Sequence, residues 1–179
     1  ISTPMAQPGV TAAPGAGSAA SPWVLSSEPA SLGESTEILM LVEGQAFSVS
    51  GRNGDVAPDT ARGVFFADVR VIDRIALRVD GEAMESLAVS PTGAYAATIG
   101  GRTRGHGHAT GLLVLRHRSV GLVLSEEIEI RNHAPAVIRC AVQLAVGCDF
   151  ADLFAVKEGR VVHEGAHSVE VLADALVFG

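Results

Sequence analysis

The stretch GCDFADLFAVKEGR, residues 147–160, sets Asp149, Asp152 and Glu158 close together in a chain that is otherwise sparing with charge. Most glycosidases work with two carboxylates, one protonating the leaving oxygen and the other serving as nucleophile or base. Their separation is roughly 5–5.5 Å for retention of configuration and about 6.5–9.5 Å for inversion. Asp149 and Asp152, three apart, could reach such a separation if the backbone turned locally. The spacing also suits a structural task. DFADLF follows directly on a strand pattern, and an acid there commonly accepts backbone N–H bonds of the turn. The residues favour that turn: Phe150 and Phe154 would anchor a corner whose backbone Asp149 and Asp152 bond.

Other stretches invite chemistry and lack its full equipment. In FFADVRVID, Asp68 and Arg70 are two apart on an expected strand over 63–70, which would point both to one face. An exposed pair of that kind is worth less than about 1 kcal/mol. GGRTRGHGH, residues 100–108, is glycine-rich and basic but has no Gly-Lys-Ser/Thr ending, and Thr110 stands where a dinucleotide fingerprint needs its third glycine. His106 and His108 could ligate a metal, although a hairpin tip explains them better. There is no Gly-x-Ser-x-Gly elbow, and neither cysteine reads as an activated nucleophile: Arg139 adjoins Cys140 but falls on the opposite face of the expected strand. Sugar-binding modules usually stack rings on exposed Trp and Tyr, and this chain has one of each. The phenylalanines sit mostly inside strand patterns and read as core. No catalytic, cofactor-binding or metal-ligating residue is therefore assigned.

The elements that would position these residues are strands. Of the 179 residues 47% are hydrophobic and 18% charged, enough for one core. Period-two alternation dominates. Ile75, Leu77 and Val79 alternate with Arg74, Ala76 and Arg78, and Leu124, Ile128 and Ile130 alternate with Ser125, Glu127, Glu129 and Arg131. In VIRCAVQLAV, Ile138, Cys140, Val142, Leu144 and Val146 form one face of an expected strand over 137–146. Asp80-Gly81 and Asn53-Gly54 mark turns. Further strands are expected over 37–43, 45–50, 84–90, 94–99, 111–118, 160–164, 168–172 and 175–178. No amphipathic helix of twelve residues or more stands out. The pattern predicts an all-β fold, an antiparallel β-sandwich.

Charge and composition narrow the partners. A net charge of −7 opposes nucleic-acid binding, and no apolar run is long enough to cross a bilayer. Cys140 and Cys148 bound one apolar run and read as buried thiols, which with the lack of a secretory signal makes the cytoplasm the expected location. Residues 1–34, rich in Ala, Gly, Pro and Ser, read as a flexible tail in which Trp23 could dock locally, and residues 35–179 as the domain. The chain opens on Ile1 and stops within a strand pattern, so it reads as a sandwich truncated at its C-terminal end and excised from a larger protein.

Two segments resemble a known family. FSVSGRNGDVAPDTARGVFFADVRVIDRIALRVDG (47–81) is similar to the start of the N-terminal domain of bacterial glycogen debranching enzymes of the amylo-α-1,6-glucosidase type. Phe47, Val49, Ser50, Gly54, Asp55, Gly63, Phe65, Asp68, Arg70, Leu77 and Gly81 match its pattern. DFADLFAVKEGR (149–160) resembles the family's Asp-Phe-Ala-Asp-Leu-Phe-Glu-Val-Arg-Gly block, matching at Asp149, Phe150, Ala151, Asp152, Leu153, Phe154, Val156 and Gly159. Ala67, Val69, Asp73 and Ala155 depart from it. The resemblance implies a β-supersandwich that packs on a helical (α/α)6 barrel holding the catalytic carboxylates. It implies hydrolysis of an α-1,6 branch of an α-glucan by that barrel, with no cofactor. This piece would be an accessory brace in which Asp55, Asp68, Arg70, Asp149, Phe150, Asp152 and Phe154 serve structure or interdomain contact. An autonomous carbohydrate-binding or assembly module is the alternative.

Overall fold

A computed structural model describes residues 37–58, 60–103, 111–161 and 168–179. The expected tail, including Trp23, and the His106/His108 loop lie outside the described residues, as do positions 162–164 of the strand expected over 160–164. Every strand pairing among the described residues is antiparallel, which bears out the all-β sandwich.

Among the described residues, thirteen strands and one short helix follow in chain order: β1 Ile38–Glu43, β2 Ala46–Gly51, β3 Gly63–Phe66, β4 Val69–Ile72, β5 Arg74–Val79, β6 Glu82–Pro91, β7 Ala96–Thr103, β8 Leu112–Ser119, β9 Ser125–Asn132, β10 Val142–Gly147, β11 Ala151–Asp152, α1 Leu153–Lys157, β12 Val169–Val171 and β13 Leu176–Phe178. One sheet has the order β1-β2-β3-β4-β11 and a second β10-β5-β6-β7-β8-β9, while β12 and β13 form a separate hairpin. The alternation read from β5 holds, with Ile75, Leu77 and Val79 each 3% exposed or less. Leu77 and Val79 pack with Met84, Ile99, Leu112 and Val114. Leu39 and Leu41 come from the other sheet, Leu41 joining Ala46, Ala97 and Val120.

Two expected strands are redrawn. The run 63–70 divides into β3 and β4 around Ala67 and Asp68, whose φ values of 47° and 66° are both left-handed. Two consecutive positive φ values are what a two-residue type I′ hairpin demands, and they match the twist of the flanking strands. Ala-Asp is a poor sequence for that turn, which is why the alternation ran straight through it. Asp68 and Arg70 consequently share no strand face: Asp68 is exposed in the turn and Arg70 is buried. The run 137–146 becomes strand only from Val142. Its partner β5 ends in the Asp80-Gly81 turn, where Ala141 N donates to Asp80 Oδ1 at 2.8 Å and Asp80 N to Ala141 O at 2.8 Å. Beyond that clasp there is no β5 left to pair with. Ile138 and Cys140 pack against the core from an irregular segment instead. Val142 and Leu144 do stand opposite Val79 and Leu77, but on an edge strand they remain 48% and 49% exposed. Arg160 and Val161 belong to no strand.

The strained turn gives a direct test. A left-handed non-glycine residue costs roughly 1–2 kcal/mol. Replacing Ala67-Asp68 by Asn-Gly should therefore raise unfolding free energy by about 1 kcal/mol in urea titration, with an unchanged denaturant slope. A loss of stability would mean that the Asp68 side chain holds the hairpin.

Candidate functional site

Two of the residues singled out from the sequence, Arg70 and Asp149, meet in a buried ion pair. Val64 packs with Ile75 of the second sheet, so its neighbour Phe65 and Phe65's register partner Arg70 face away from that sheet. The chain leaving β10 brings Asp149 onto this face just before β11 pairs with β4. Arg70 Nε lies 3.1 Å from both Asp149 carboxylate oxygens, and Nη2 donates to Oδ2. Arg70 Nη1 donates to the carbonyls of Thr60, at 2.9 Å, and Arg62, at 3.2 Å. The two side chains are only 1% and 3% exposed. Burying both charges costs several kcal/mol per ion, and their attraction repays this only with good geometry and the remaining donors satisfied. Here each guanidinium nitrogen has an acceptor. Gly63 makes room for the stem, because a Cβ there would lie 2.5 Å from Arg70 Cδ.

The other two acids of the opening stretch also have structural work. Asp152 is the N-cap of α1 and accepts from Phe154 N at 2.8 Å and Ala155 N at 3.3 Å, supplying two of the helix's unpaired amides. Gly159, at φ 64°, ends the same helix, and Arg160 N closes onto Ala155 O at 2.9 Å. Glu158 forms an exposed pair with Arg160. The observed anchors differ from the Phe150 and Phe154 expected from the sequence. Phe150 is 42% and Phe154 61% exposed, so the corner rests on Arg70, Asp149, the Asp152 cap and buried Val156.

A second charged cluster joins the Asn53-Gly54 turn to the six-stranded sheet. Asp55 Oδ1 accepts from Leu77 N at 3.2 Å and from Arg116 Nη1 at 2.7 Å, and its Oδ2 accepts from Arg78 Nη1 at 2.7 Å. Arg118 Nη2 donates to Gly54 O and to Glu126 Oε2, both at 2.7 Å, while Arg116 Nε donates to Glu126 Oε1. Gly54 sits at φ 83°, and a Cβ there would lie 2.9 Å from Arg116 Cζ, so this turn requires glycine on both counts. Burial lowers the Arg118 proton affinity, and Glu126 opposes the shift. Sequence reasoning passed over Arg116, Arg118 and Glu126, although strand phase marks them. The arginines fall in step with buried Leu112 and Val114, and Glu126 with Leu124 and Ile128.

A cleft of about 980 Å³ lies between residues 51–58, the outer side of β5 and β6, with Arg52, Asp55, Arg74, Arg78 and Glu85 in its wall and no aromatic residue. It offers hydrogen bonds without a stacking surface. Among the described residues no three His, Cys, Asp or Glu side chains gather as metal ligands, and no helix is long and apolar enough to cross a membrane. Cys140 and Cys148 are free and half-buried rather than fully buried. Burial first, then the charges of Asp73 and Asp149, push the Cys148 thiol up to about 11.

Two outcomes follow from this geometry. Asp149→Asn should cost about 3–5 kcal/mol in urea unfolding, because it strands the buried Arg70 charge. Asp152→Asn should change stability by less than about 0.5 kcal/mol, since Asn caps as well as Asp, whereas Asp152→Ala should cost about 1 kcal/mol. Equal losses from the two Asn variants would refute the division of labour. For Cys148, the raised thiol should make alkylation slow at pH 8 and accelerate it as pH climbs towards 11, read by mass spectrometry of the Cys148 peptide. The same shift favours the folded state below the ordinary thiol value of 9.0, and that contribution disappears as pH rises to about 11.

No curated protein and no solved structure matches the chain. A family model described as the N-terminal domain of some glycogen debranching enzymes matches residues 41–179, a span that takes in both charged clusters and the β11–α1 corner. By that match, the chain belongs to the family of N-terminal domains of glycogen debranching enzymes.

Proposed function

We propose that this domain is a non-catalytic accessory of a debranching enzyme of the amylo-α-1,6-glucosidase type, bracing a helical catalytic domain that follows it in the parent protein. One observation carries the reading: the carboxylates of its two motif segments that engage partners do so to hold the fold. Asp149 is enclosed by Arg70, Asp152 is spent on a helix cap, and Asp55 ties a turn to β5 and β8. A general acid must reach the leaving oxygen with a proton to give, and a base must reach the attacking water. Neither posture suits a carboxylate whose oxygens are engaged by guanidinium and backbone donors. Hydrolysis of the α-1,6 branch, by protonation of the glycosidic oxygen and attack of water at the anomeric carbon, is then the work of the other domain. The cleft beside β5 supports the same division, since it lacks the aromatic surface on which a free-standing sugar-binding module would rely.

The 179-residue chain should release no glucose from a branched limit dextrin and give no saturable heat with maltoheptaose in calorimetry. In the parent enzyme, Asp149→Asn should lower the melting temperature by roughly 5–10 °C or more while turnover per folded molecule stays within about twofold. Glucose release by the chain alone, or lost turnover at unchanged melting, would overturn the accessory reading.

A further inference from the structure

We infer that the corner formed by the β3–β4 turn, β11 and the start of α1 is the surface through which this domain grips the catalytic domain of its parent chain. The inference rests on the bracing role proposed above and assigns it to named residues. Phe66, Val69 and Asp152 are neighbours in register across β3, β4 and β11, so they share one face of the sheet's end. Leu153 N donates to Asp68 O at 2.8 Å, which ties the start of α1 to the turn. On these joined elements Phe66 is 41%, Val69 36%, Phe150 42% and Phe154 61% exposed. Three of the chain's six phenylalanines thus stand partly in solvent on these joined elements, while Phe65 alone among the six is fully buried. Large aromatics displayed together mark contact surfaces, whereas scattered apolar residues do not.

The platform beneath them is rigid and strained. Ala67, Asp68 and Phe150 all hold positive φ, at 47°, 66° and 51°, and the fully hydrogen-bonded Arg70–Asp149 pair lies directly behind. A preorganised surface loses little freedom on association, which favours its use as a contact. Charge specifies the occupant. Ala67 N donates to Gln45 O at 3.2 Å, bringing the β1–β2 turn and Glu43 to the rim beside Asp68. Glu43, Asp68 and Asp152 are exposed, and among the described residues no arginine pairs with them. The matching surface is an apolar patch flanked by Lys or Arg, and family membership places another domain of the same polypeptide within reach.

The test compares Phe66→Ser/Phe154→Ser and Glu43→Lys/Asp68→Lys in the parent enzyme and in the 179-residue chain. Wild-type parent should unfold in one calorimetric transition, with amides 66–69 and 150–155 protected from hydrogen exchange at least tenfold beyond the isolated chain. Either double variant should split that transition in two and erase the added protection. The serine variant should shift melting of the isolated chain by no more than about 3 °C, as expected of surface sites. Two separate transitions in the wild-type parent would sink the bracing role and this contact with it. A single transition that survives both variants would leave the brace standing and remove the corner from it. A collapse of the isolated chain on losing the phenylalanines would show that they support the fold instead.

Discussion

One buried charge pair, Arg70 with Asp149, determines how the two ends of this domain meet. The residues are 79 apart in sequence and sit on the side of the five-stranded sheet turned away from the main core. Apolar burial alone offers little to hold β11 there: it is two residues long and meets β4 at only two register positions. The guanidinium supplies what so short a strand cannot. It fixes Asp149 through Nε and Nη2, and with Nη1 it gathers the carbonyls of Thr60 and Arg62 from the loop above. One side chain therefore binds a strand, a long loop and the returning chain in a single geometry. Lysine could not do so, having a point charge in place of a planar fork.

The second cluster repeats the device with different elements. Arg116 and Arg118 occupy inward positions of β8 that would ordinarily be aliphatic, and their forks reach the carbonyls of Asn53 and Gly54 as well as Glu126. Aromatic residues are only 4% of this chain, so large rings are not available to fill the end of the sandwich. Long guanidinium stems occupy that volume, and their heads bond a turn that would otherwise leave carbonyls unpaired. Glycine is required wherever a stem passes close to backbone, at Gly63 beside Arg70 and Gly54 beside Arg116. The glycines and the charges of the motif thus have one common cause.

How much of this could be read in advance depended on whether the signal was local. Strand phase located β5 and β9 with their faces and β8 by its range, because burial on one side imposes period two wherever a strand is long enough to show it. The Asp80-Gly81 hairpin was legible from its dipeptide. The hairpin at Ala67-Asp68 was not, because its left-handed backbone is imposed by the sheet and by the corner packed beside it, against the preference of the residues. Val137 to Cys140 alternate like a strand yet pair with no strand among the described residues, since β5 has already turned back. Among site residues, Asp152 was legible as an acceptor of backbone N–H bonds at a turn, but the short helix it caps was not expected. The pairing of Arg70 with Asp149 needed the topology, and nothing within either segment points to the other. Arg116, Arg118 and Glu126 were the avoidable omissions: charges in inward phase on adjacent strands must find one another or destabilise the core.

The same reasoning bears on why the aromatic side chains of the corner are where they are. A sandwich of this composition gains about 1.5–3 kcal/mol from each phenylalanine it buries. Leaving Phe154 61% exposed, and Phe66 and Phe150 above 40%, forgoes much of that gain. Phe150 moreover holds a positive φ at a cost of roughly 1–3 kcal/mol. A domain selected only for its own stability would accept neither loss. Both are intelligible if the corner completes its burial against another surface, and if the Arg70–Asp149 pair is retained to hold that corner in one shape rather than to stabilise the isolated sandwich. Replacing a buried ion pair by apolar residues is often neutral or stabilising. Its value here lies in specifying where DFADLF sits, which is the feature an attached domain would have to recognise.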